Sequence, residues 1–190
     1  MAIIRWRRIG KPEVIAEGFG KRFVRQRFID HHSEPTDFFF LDQEPWSVVL
    51  PITSDGNVIL VRHYKQGADI VIEELPGGTA DFRGERPEAI MRREFREETG
   101  YEPGEVIALG SGWINSRNST TPFYCFLARE CRKVGPAHLD RSEQEEVIEM
   151  PLGEWVGLML KGEWVQWDAY VTMIRALPHL GIDLAPAFGK

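Results

Sequence analysis

The chain has 190 residues, 43% of them hydrophobic, and a formal net charge of −6 at pH 7. This length is enough for one domain with a substantial core and a small additional unit. The acidic balance argues against a protein that coats nucleic acid, but it does not exclude a phosphate-bearing ligand, because a bound metal ion can supply local positive charge.

The two cysteines, Cys125 and Cys131, lack the spacing of metal ligands and are too few for a disulfide framework. Residues 1–10 include arginines but no apolar stretch of the signal-peptide kind, and no apolar run approaches the length of a membrane span. These features predict a cytoplasmic protein with no membrane partner.

Residues 1–44 are predicted to form a small antiparallel β unit. The alternation from Lys21 to Asp30 is typical of a strand, and Phe38–Leu41 forms a second strand after a polar turn. His31 and His32 in that turn could be metal ligands, but adjacent side chains in a turn point apart, so a solvated loop is the favoured interpretation.

Residues 45–190 are predicted to form a second domain in which strands and helices are mixed. Apolar runs predict strands at residues 48–50, 58–61, 70–72, 106–109, 123–128 and 147–148. Two helices are predicted to follow, with apolar faces formed by Leu152, Trp155, Val156 and Met159 and by Trp167, Tyr170, Val171 and Ile174. The fold class is therefore α+β, with a sheet flanked by helices.

The segment Arg93–Tyr101 is the most specific part of the chain. Its carboxylates Glu94, Glu97 and Glu98 fall at i, i+3 and i+4 and therefore share one face of a helix. Three like charges on one face destabilise a helix unless a positive charge lies over them. A hard divalent cation such as Mg2+, which prefers oxygen ligands, would supply that charge.

A solvated surface helix stabilised by ion pairs is the alternative, since Arg93 and Glu97 form an i,i+4 pair. The flanking residues favour the functional interpretation, because Pro87 suits a first helical position and Gly100 suits a C-terminal cap. The helix is also predicted to pack on the core through a narrow stripe formed by Ile90, Met91 and Phe95.

These residues resemble the Nudix box, Gly-x5-Glu-x7-Arg-Glu-U-x-Glu-Glu-x-Gly-U, in which U is a bulky apolar residue. Seven residues separate Glu85 from Arg93, and the later fixed positions are matched by Glu94, Phe95, Glu97, Glu98, Gly100 and Tyr101. One departure is that six residues, not five, separate Gly78 from Glu85. The resemblance implies a Nudix-type α/β/α sandwich preceded by the small N-terminal antiparallel β unit.

The resemblance extends to the branch that includes ADP-ribose and nucleoside-diphosphate-sugar pyrophosphatases. Arg62-His63-Tyr64-Lys65 is similar to the Arg-Gln-Tyr-Arg tetrapeptide of that branch, and Glu74-Leu75-Pro76-Gly77-Gly78 is similar to its Glu-Leu-Pro-Ala-Gly. Gly77 stands in place of alanine, which we expect to alter a backbone carbonyl ligand very little. Arg117 occupies the position where members that prefer ADP-ribose usually have proline, so that preference is not implied.

The resemblance assigns roles to particular residues. Glu94 and Glu98 are implied to be direct metal ligands, Glu97 a ligand or bridge, and the Gly77 carbonyl a further ligand. Arg93 is implied to orient a carboxylate, whereas the extra residue before Glu85 leaves its role open.

A later loop is implied to supply the general base. Glu143 is the predicted base and Glu145 an additional metal ligand, with Glu146 as the alternative base if the register differs. An acidic surface loop is the competing interpretation. Arg62 and Lys65 are predicted to hold phosphate oxygens, although they could equally be solvated cations at a strand end.

The implied activity is Mg2+-dependent hydrolysis, with Mn2+ as a substitute, of the pyrophosphate bond in a nucleoside diphosphate sugar or ADP-ribose. The products would be a nucleoside monophosphate and a sugar phosphate. The N-terminal unit is implied to form a homodimer and part of the nucleotide pocket, and no nucleic-acid partner is expected. Alternatives are action on nucleoside triphosphates or another nucleotide, and a non-catalytic nucleotide sensor built on the same fold.

Overall fold

A computed structural model describes residues 3–139, 144–164 and 166–183. The chain divides into two compact units, one formed by Met1–Pro45 with Trp113–Pro122 and the other by Trp46–Gly112 with Phe123–Lys190. Residues 113–122 belong to the predicted second domain, whereas in the structure they lie with the first unit.

The first unit contains a three-stranded antiparallel sheet in the order β1-β2-β3. Its strands are β1 (Arg7–Gly18), β2 (Lys21–Ile29) and β3 (Pro35–Gln43). The sequence predicted β2 and β3 but not β1, because β1 is exposed along almost its whole length and has no alternating apolar pattern. Its pairing with β2 is also irregular between Ile9 and Glu13.

Residues 113–122 extend this unit by pairing with β3. The Leu41 amide donates a hydrogen bond to the Asn118 carbonyl at 2.7 Å, and the Thr120 amide donates to the Leu41 carbonyl at 3.1 Å. The Thr120 hydroxyl lies 2.6 Å from Oδ1 of Asp42. Backbone pairing of this kind, rather than hydrophobic periodicity, assigns the segment to the first unit.

The second unit is built on an eight-stranded mixed sheet whose central order is β11-β5-β4-β10-β8. Strands β6, β7 and β9 pair with β5, β4 and β10 respectively, and only β4 and β10 run parallel among these described pairs. The elements are β4 (Trp46–Thr53), β5 (Asn57–Lys65), β6 (Ile70–Glu74), β7 (Gly77–Thr79), α1 (Pro87–Thr99), β8 (Tyr101–Glu102), β9 (Glu105–Gly112), β10 (Phe123–Lys133), β11 (Glu145–Pro151), α2 (Leu152–Lys161) and α3 (Trp167–Leu180).

Alternating side chains of the central strands form two separate cores. On β4, Val49 packs in the cluster that contains Phe95 of α1, whereas Leu50 packs in the cluster that contains Trp155 of α2 and Met173 of α3. The period of two along a strand therefore sends neighbouring residues to opposite helical layers. This arrangement confirms the predicted α+β class and the α/β/α sandwich.

The predicted limits and core face of α1 are confirmed. The helix begins at Pro87 and ends at Thr99, and Gly100 caps it in the left-handed conformation with a φ of 73°. All three residues of the predicted apolar stripe are buried, namely Ile90, Met91 and Phe95. The opposite face of α1 is therefore free to present its carboxylates.

The predicted apolar face of α3 is wrong in part. Trp167 and Ile174 are 72% and 57% exposed, and the buried residues are Ala169, Thr172, Met173, Ala176 and Leu177. Tyr170 and Val171 are partly buried and pack against the core, so the contact face of α3 is rotated relative to the predicted one and does not include Trp167 and Ile174. For α2, the predicted Trp155, Val156 and Met159 are all buried.

Within the described residues, no helix is both long enough and apolar enough to span a membrane.

Candidate functional site

The carboxylates of α1 face the short strand β7, where two glycines leave the backbone uncovered. The Gly77 amide donates a hydrogen bond of 2.9 Å to Oε2 of Glu98. A Cβ atom placed on Gly78 would collide with the carboxylate of Glu94. The absence of side chains on β7 therefore lets two glutamates of α1 approach its main chain closely.

Gly77 also lies too close to β4 to carry a side chain. This corrects the expectation that glycine and alanine are equivalent at this position. It pairs with Val48 of β4, and a Cβ atom at Gly77 would collide with the Ser47 carbonyl oxygen. An alanine could be accommodated only if β7 moved away from β4. The position of the Gly77 carbonyl, a predicted ligand, thus depends on the absence of this side chain.

Arg93 lies at the centre of the acidic residues and touches several of them. Its Nη1 atom lies 2.9 Å from Glu94 and 3.2 Å from Glu97, and its Nη2 atom donates to the Thr79 carbonyl at 2.9 Å. Burial opposes the charged form, yet the neighbouring carboxylates Glu94 and Glu85 raise the pKa of Arg93. Arg93 thus contacts both Glu94 and Glu97.

The loop with the extra residue still brings Glu85 to this arginine. Both carboxylate oxygens of Glu85 lie 3.5 Å from the Arg93 guanidinium, and Oε2 accepts a 2.9 Å hydrogen bond from the Asp81 amide. Gly84, with a φ of 88°, provides a backbone conformation that other residues rarely adopt. The extra residue is accommodated within the loop, and Glu85 remains beside α1.

Glu145 approaches the same region from β11. It pairs with His63 of β5, its side chain is 4% exposed, and Oε1 lies 3.0 Å from Nδ1 of His63. Its Oε2 atom is buried and has no hydrogen-bond partner within the described residues. Burial first, and then the charge of Glu145, raise the pKa of Glu98 well above its usual value, which indicates that the two carboxylates are close.

His63 connects Glu145 to a second buried carboxylate, Glu74. Its Nε2 atom lies 2.6 Å from Oε1 of Glu74, which also lies 2.6 Å from Nζ of Lys65. The contact with Glu145, followed by that with Glu74, raises the pKa of His63 to about 9. Gln166 completes the group by donating a 2.5 Å hydrogen bond to Oε2 of Glu74.

Sequence reasoning missed both His63 and Glu74 as members of the site. The available signal was the alternation on β5, which places His63 and Lys65 on one side of the strand and Arg62 on the other. Which carboxylates they meet depends on pairing with β6 and β11, and local sequence does not give that pairing.

The predicted phosphate-binding cations are both engaged by carboxylates. Arg62 forms ion pairs with Glu73 and, at 2.9 Å, with Glu146, and its side chain is 42% exposed. Lys65 contacts Glu74 as described above. Glu146 therefore lies on the Arg62 side of the strand, away from Glu145, while the predicted base Glu143 lies outside the described residues.

The oxygen donors of Glu94, Glu98 and Glu145 suit a hard divalent cation. Burial first, partly offset by Arg93, raises the pKa of Glu94 to about 7, so its charge is undercompensated in the protein alone. The buried Oε2 of Glu145 is likewise without a partner in the described part of the chain. No three His, Cys, Asp or Glu side chains among the described residues already form a metal-holding group, so these carboxylates would have to turn toward the ion.

The raised pKa of Glu94 predicts a pH-dependent effect on stability. Its folded-state pKa of about 7 lies above the ordinary value of 4.5, so ionisation destabilises the fold as the pH rises through 7. In chelator, Glu94→Gln should therefore melt at a higher temperature than the parent at pH 8, and the difference should shrink toward pH 5. Thermal melting across this pH range measures it.

Glu88→Gln is the matched control, because Glu88 is an exposed carboxylate on the same helix, paired with Arg92. It should show no comparable gain at pH 8. Equal melting curves for Glu94→Gln and the parent at every pH would contradict the electrostatic account.

Comparison with known proteins identifies the family. The NUDIX domain model matches residues 43–173. The chain is 30% identical over 112 residues to an ADP-ribose pyrophosphatase of Bacillus subtilis, covering 58% of this chain and 60% of that protein. It is 32% identical over 114 residues to a GDP-mannose pyrophosphatase of Citrobacter koseri, covering 56% and 59% respectively.

The solved structure of an ADP compounds hydrolase superposes with a TM-score of 0.78 at 16% identity, covering 95% of this chain and 97% of that one. This likeness concerns the fold. The chain spans about three fifths of the length of the curated relatives named above. Because the family model matches well over half of the residues, the chain belongs to the Nudix family.

Proposed function

We propose that the protein is a Nudix hydrolase that cleaves the pyrophosphate bond of a nucleoside diphosphate sugar or ADP-ribose in the presence of Mg2+. The products would be a nucleoside monophosphate and a sugar phosphate. The observation that carries the proposal is the close approach of Glu98 and Glu94 of α1 to the bare backbone of Gly77 and Gly78. The relatives named for ADP-ribose and GDP-mannose support this choice of substrate class.

Glu94 and Glu98 are the proposed direct metal ligands, with Glu145 and the Gly77 carbonyl as further ligands. Glu97 has a side chain that is 46% exposed and suits a ligand or bridging role at the open edge of the group. The bound Mg2+, or Mn2+ in its place, would neutralise the charge that develops on the phosphates. Arg93 keeps Glu94 and Glu97 in position through its two short contacts.

Glu143 is the proposed general base, which would take a proton from the attacking water. Glu146 is the alternative general base. Its contact with Arg62 holds its side chain on the face of the sheet opposite that of Glu145. Lys65 and Arg62 are the proposed phosphate-binding residues. Each would have to exchange a carboxylate partner for a phosphate oxygen, so their contribution would appear in KM.

A homodimer is proposed through the N-terminal unit. Several of its apolar side chains are exposed, and Phe23 of β2 and Phe39 of β3 stack with ring centroids 5.5 Å apart while remaining 45% and 42% exposed. A small sheet with an uncovered apolar face is marginally stable alone, and a second copy would cover it across a two-fold axis.

The metal requirement is tested first. Activity on a panel of nucleoside diphosphate sugars, ADP-ribose and nucleoside triphosphates should disappear in chelator and return with Mg2+ or Mn2+. Glu98→Gln removes a charge that acts in the transition state, so kcat should fall by several orders of magnitude, whereas Glu88→Gln should retain parental activity. Full turnover in metal-free buffer would overturn the proposed metal-dependent reaction. A preference for triphosphates would overturn the proposed substrate class.

The general base is tested by comparing glutamate variants of one segment. Glu143→Gln should lower kcat by about 10²–10⁴-fold and leave Mn2+ affinity nearly unchanged. Activity should recover partly at higher pH, where hydroxide replaces the missing base, and Glu98→Gln should show no such recovery. Near-normal activity of Glu143→Gln together with an inactive Glu146→Gln would transfer the role to Glu146.

The dimer is tested by light scattering at micromolar concentration. The parent protein should have the mass of two chains, and Phe23→Glu should shift it toward one, because a charge on the proposed apolar interface must be desolvated. His32→Ser, in the exposed turn between β2 and β3, is the matched control and should remain dimeric. A monomeric parent would refute the proposed assembly.

A further inference from the structure

His63 lies between two strands that each bring a carboxylate to it. β5 pairs with β11, where Glu145 is the direct partner of His63. It also pairs with β6, whose last residue is Glu74. The imidazole is therefore held within the sheet rather than on a loop. Its side chain is only 14% exposed, as is that of Glu74.

Both ring nitrogens face a carboxylate oxygen. Nδ1 lies 3.0 Å from Oε1 of Glu145, and Nε2 lies 2.6 Å from Oε1 of Glu74. An ionised carboxylate can only accept hydrogen bonds, so the contact with Glu145 favours a proton on Nδ1. Nε2 is buried and makes no aligned hydrogen bond within the described residues, so Glu74 acts on the ring through its charge at 2.6 Å. Lys65 and Gln166 also contact Glu74 and hold that end of the bridge in place.

The bridge leaves the two oxygens of Glu145 in different situations. Oε1 is held by His63, whereas Oε2 is buried without a hydrogen-bond partner in the described residues. An unpaired oxygen of a buried carboxylate is costly unless something else binds it. The free oxygen belongs to the carboxylate that lies near Glu98.

We propose that His63 is a positioning residue, which is anchored on Glu74 and holds Oε1 of Glu145 so that Oε2 is presented to a divalent cation. The inference rests on the proposed function, since it takes Glu145 as a metal ligand. It assigns to this histidine the orientation of a ligand from outside the coordination sphere. Glu74 acts one step further away, as the anchor of the ring.

A purely electrostatic role for His63 predicts the opposite effect on metal binding. A cation beside a cation site repels the incoming ion, so removing it should strengthen Mn2+ binding. If His63 positions Glu145, its removal lets the carboxylate turn away, and Mn2+ binding should weaken. The sign of the change therefore separates the two roles.

The experiment measures Mn2+ binding to the full chain without substrate, by calorimetry and by electron paramagnetic resonance, at one fixed pH. His63→Ala should weaken Mn2+ binding by about 10–100-fold. His63→Gln should lose less, because its amide can still donate one hydrogen bond to Glu145. Tyr64→Phe is the matched control, since Tyr64 is the next residue of β5 and its hydroxyl donates a hydrogen bond to the exposed Asp69.

A double-mutant cycle with Glu145→Gln tests the route of the effect. If His63 acts through Glu145, the histidine substitution should add little to the loss caused by Glu145→Gln alone. A full additional loss on that background would overturn the inference. If His63→Ala does not fold, the cycle is completed with His63→Gln.

The outcomes also separate this inference from the proposed function. Mn2+ binding by the parent, with unchanged or tighter binding by folded His63 variants, would overturn the positioning role and leave the metal site in place. A parent that binds no Mn2+ would overturn the proposed metal mechanism, and the positioning role with it.

Discussion

The arrangement of the site follows from one constraint, which is that buried negative charge must be compensated. Arg93 compensates Glu94, Glu97 and Glu85, and His63 with Lys65 compensates Glu145 and Glu74. Glu98 receives a backbone hydrogen bond from Gly77, and no ion pair to it occurs among the described residues. Glu98 and the unpaired Oε2 of Glu145 therefore retain uncompensated charge, and a cation bound between them would have the greatest effect there.

The fold assembles the site from four separate elements. α1 presents its glutamates because its other face is fixed to the sheet by Met91 and Phe95. β7 supplies an uncovered backbone, and β5 with β11 supplies the His63–Glu145 pair. No single element contains a complete site, so its geometry depends on the packing of the whole second unit.

Much of this structure was predictable because the signals are local. The limits of α1, its buried stripe and the joint face of its glutamates follow from helical periodicity and from Pro87 and Gly100. The family resemblance implies Glu145 as a metal ligand, and in the structure its charge contributes to the raised pKa of Glu98.

The remaining features depend on contacts between distant parts of the chain. The exposed strand β1 has no apolar alternation. The apolar residues of α3 cover more than one face of the helix, and packing decides which of them are fully buried. The meeting of His63 with Glu145 and Glu74 is set by strand register. Local sequence does not distinguish glycine from alanine at position 77, because the closeness of the Ser47 carbonyl arises only when β7 pairs with β4.

The two glycines of β7 have a consequence for how this site can vary. Gly77 and Gly78 contribute main-chain atoms to the site. These atoms do not titrate, and a side-chain substitution elsewhere in the chain does not replace them. Their position is set by the pairing of β7 with β4, while the extra residue before Glu85 lies in the loop that follows. The length of that loop can therefore change without altering the distance between the main chain of β7 and the carboxylates of α1.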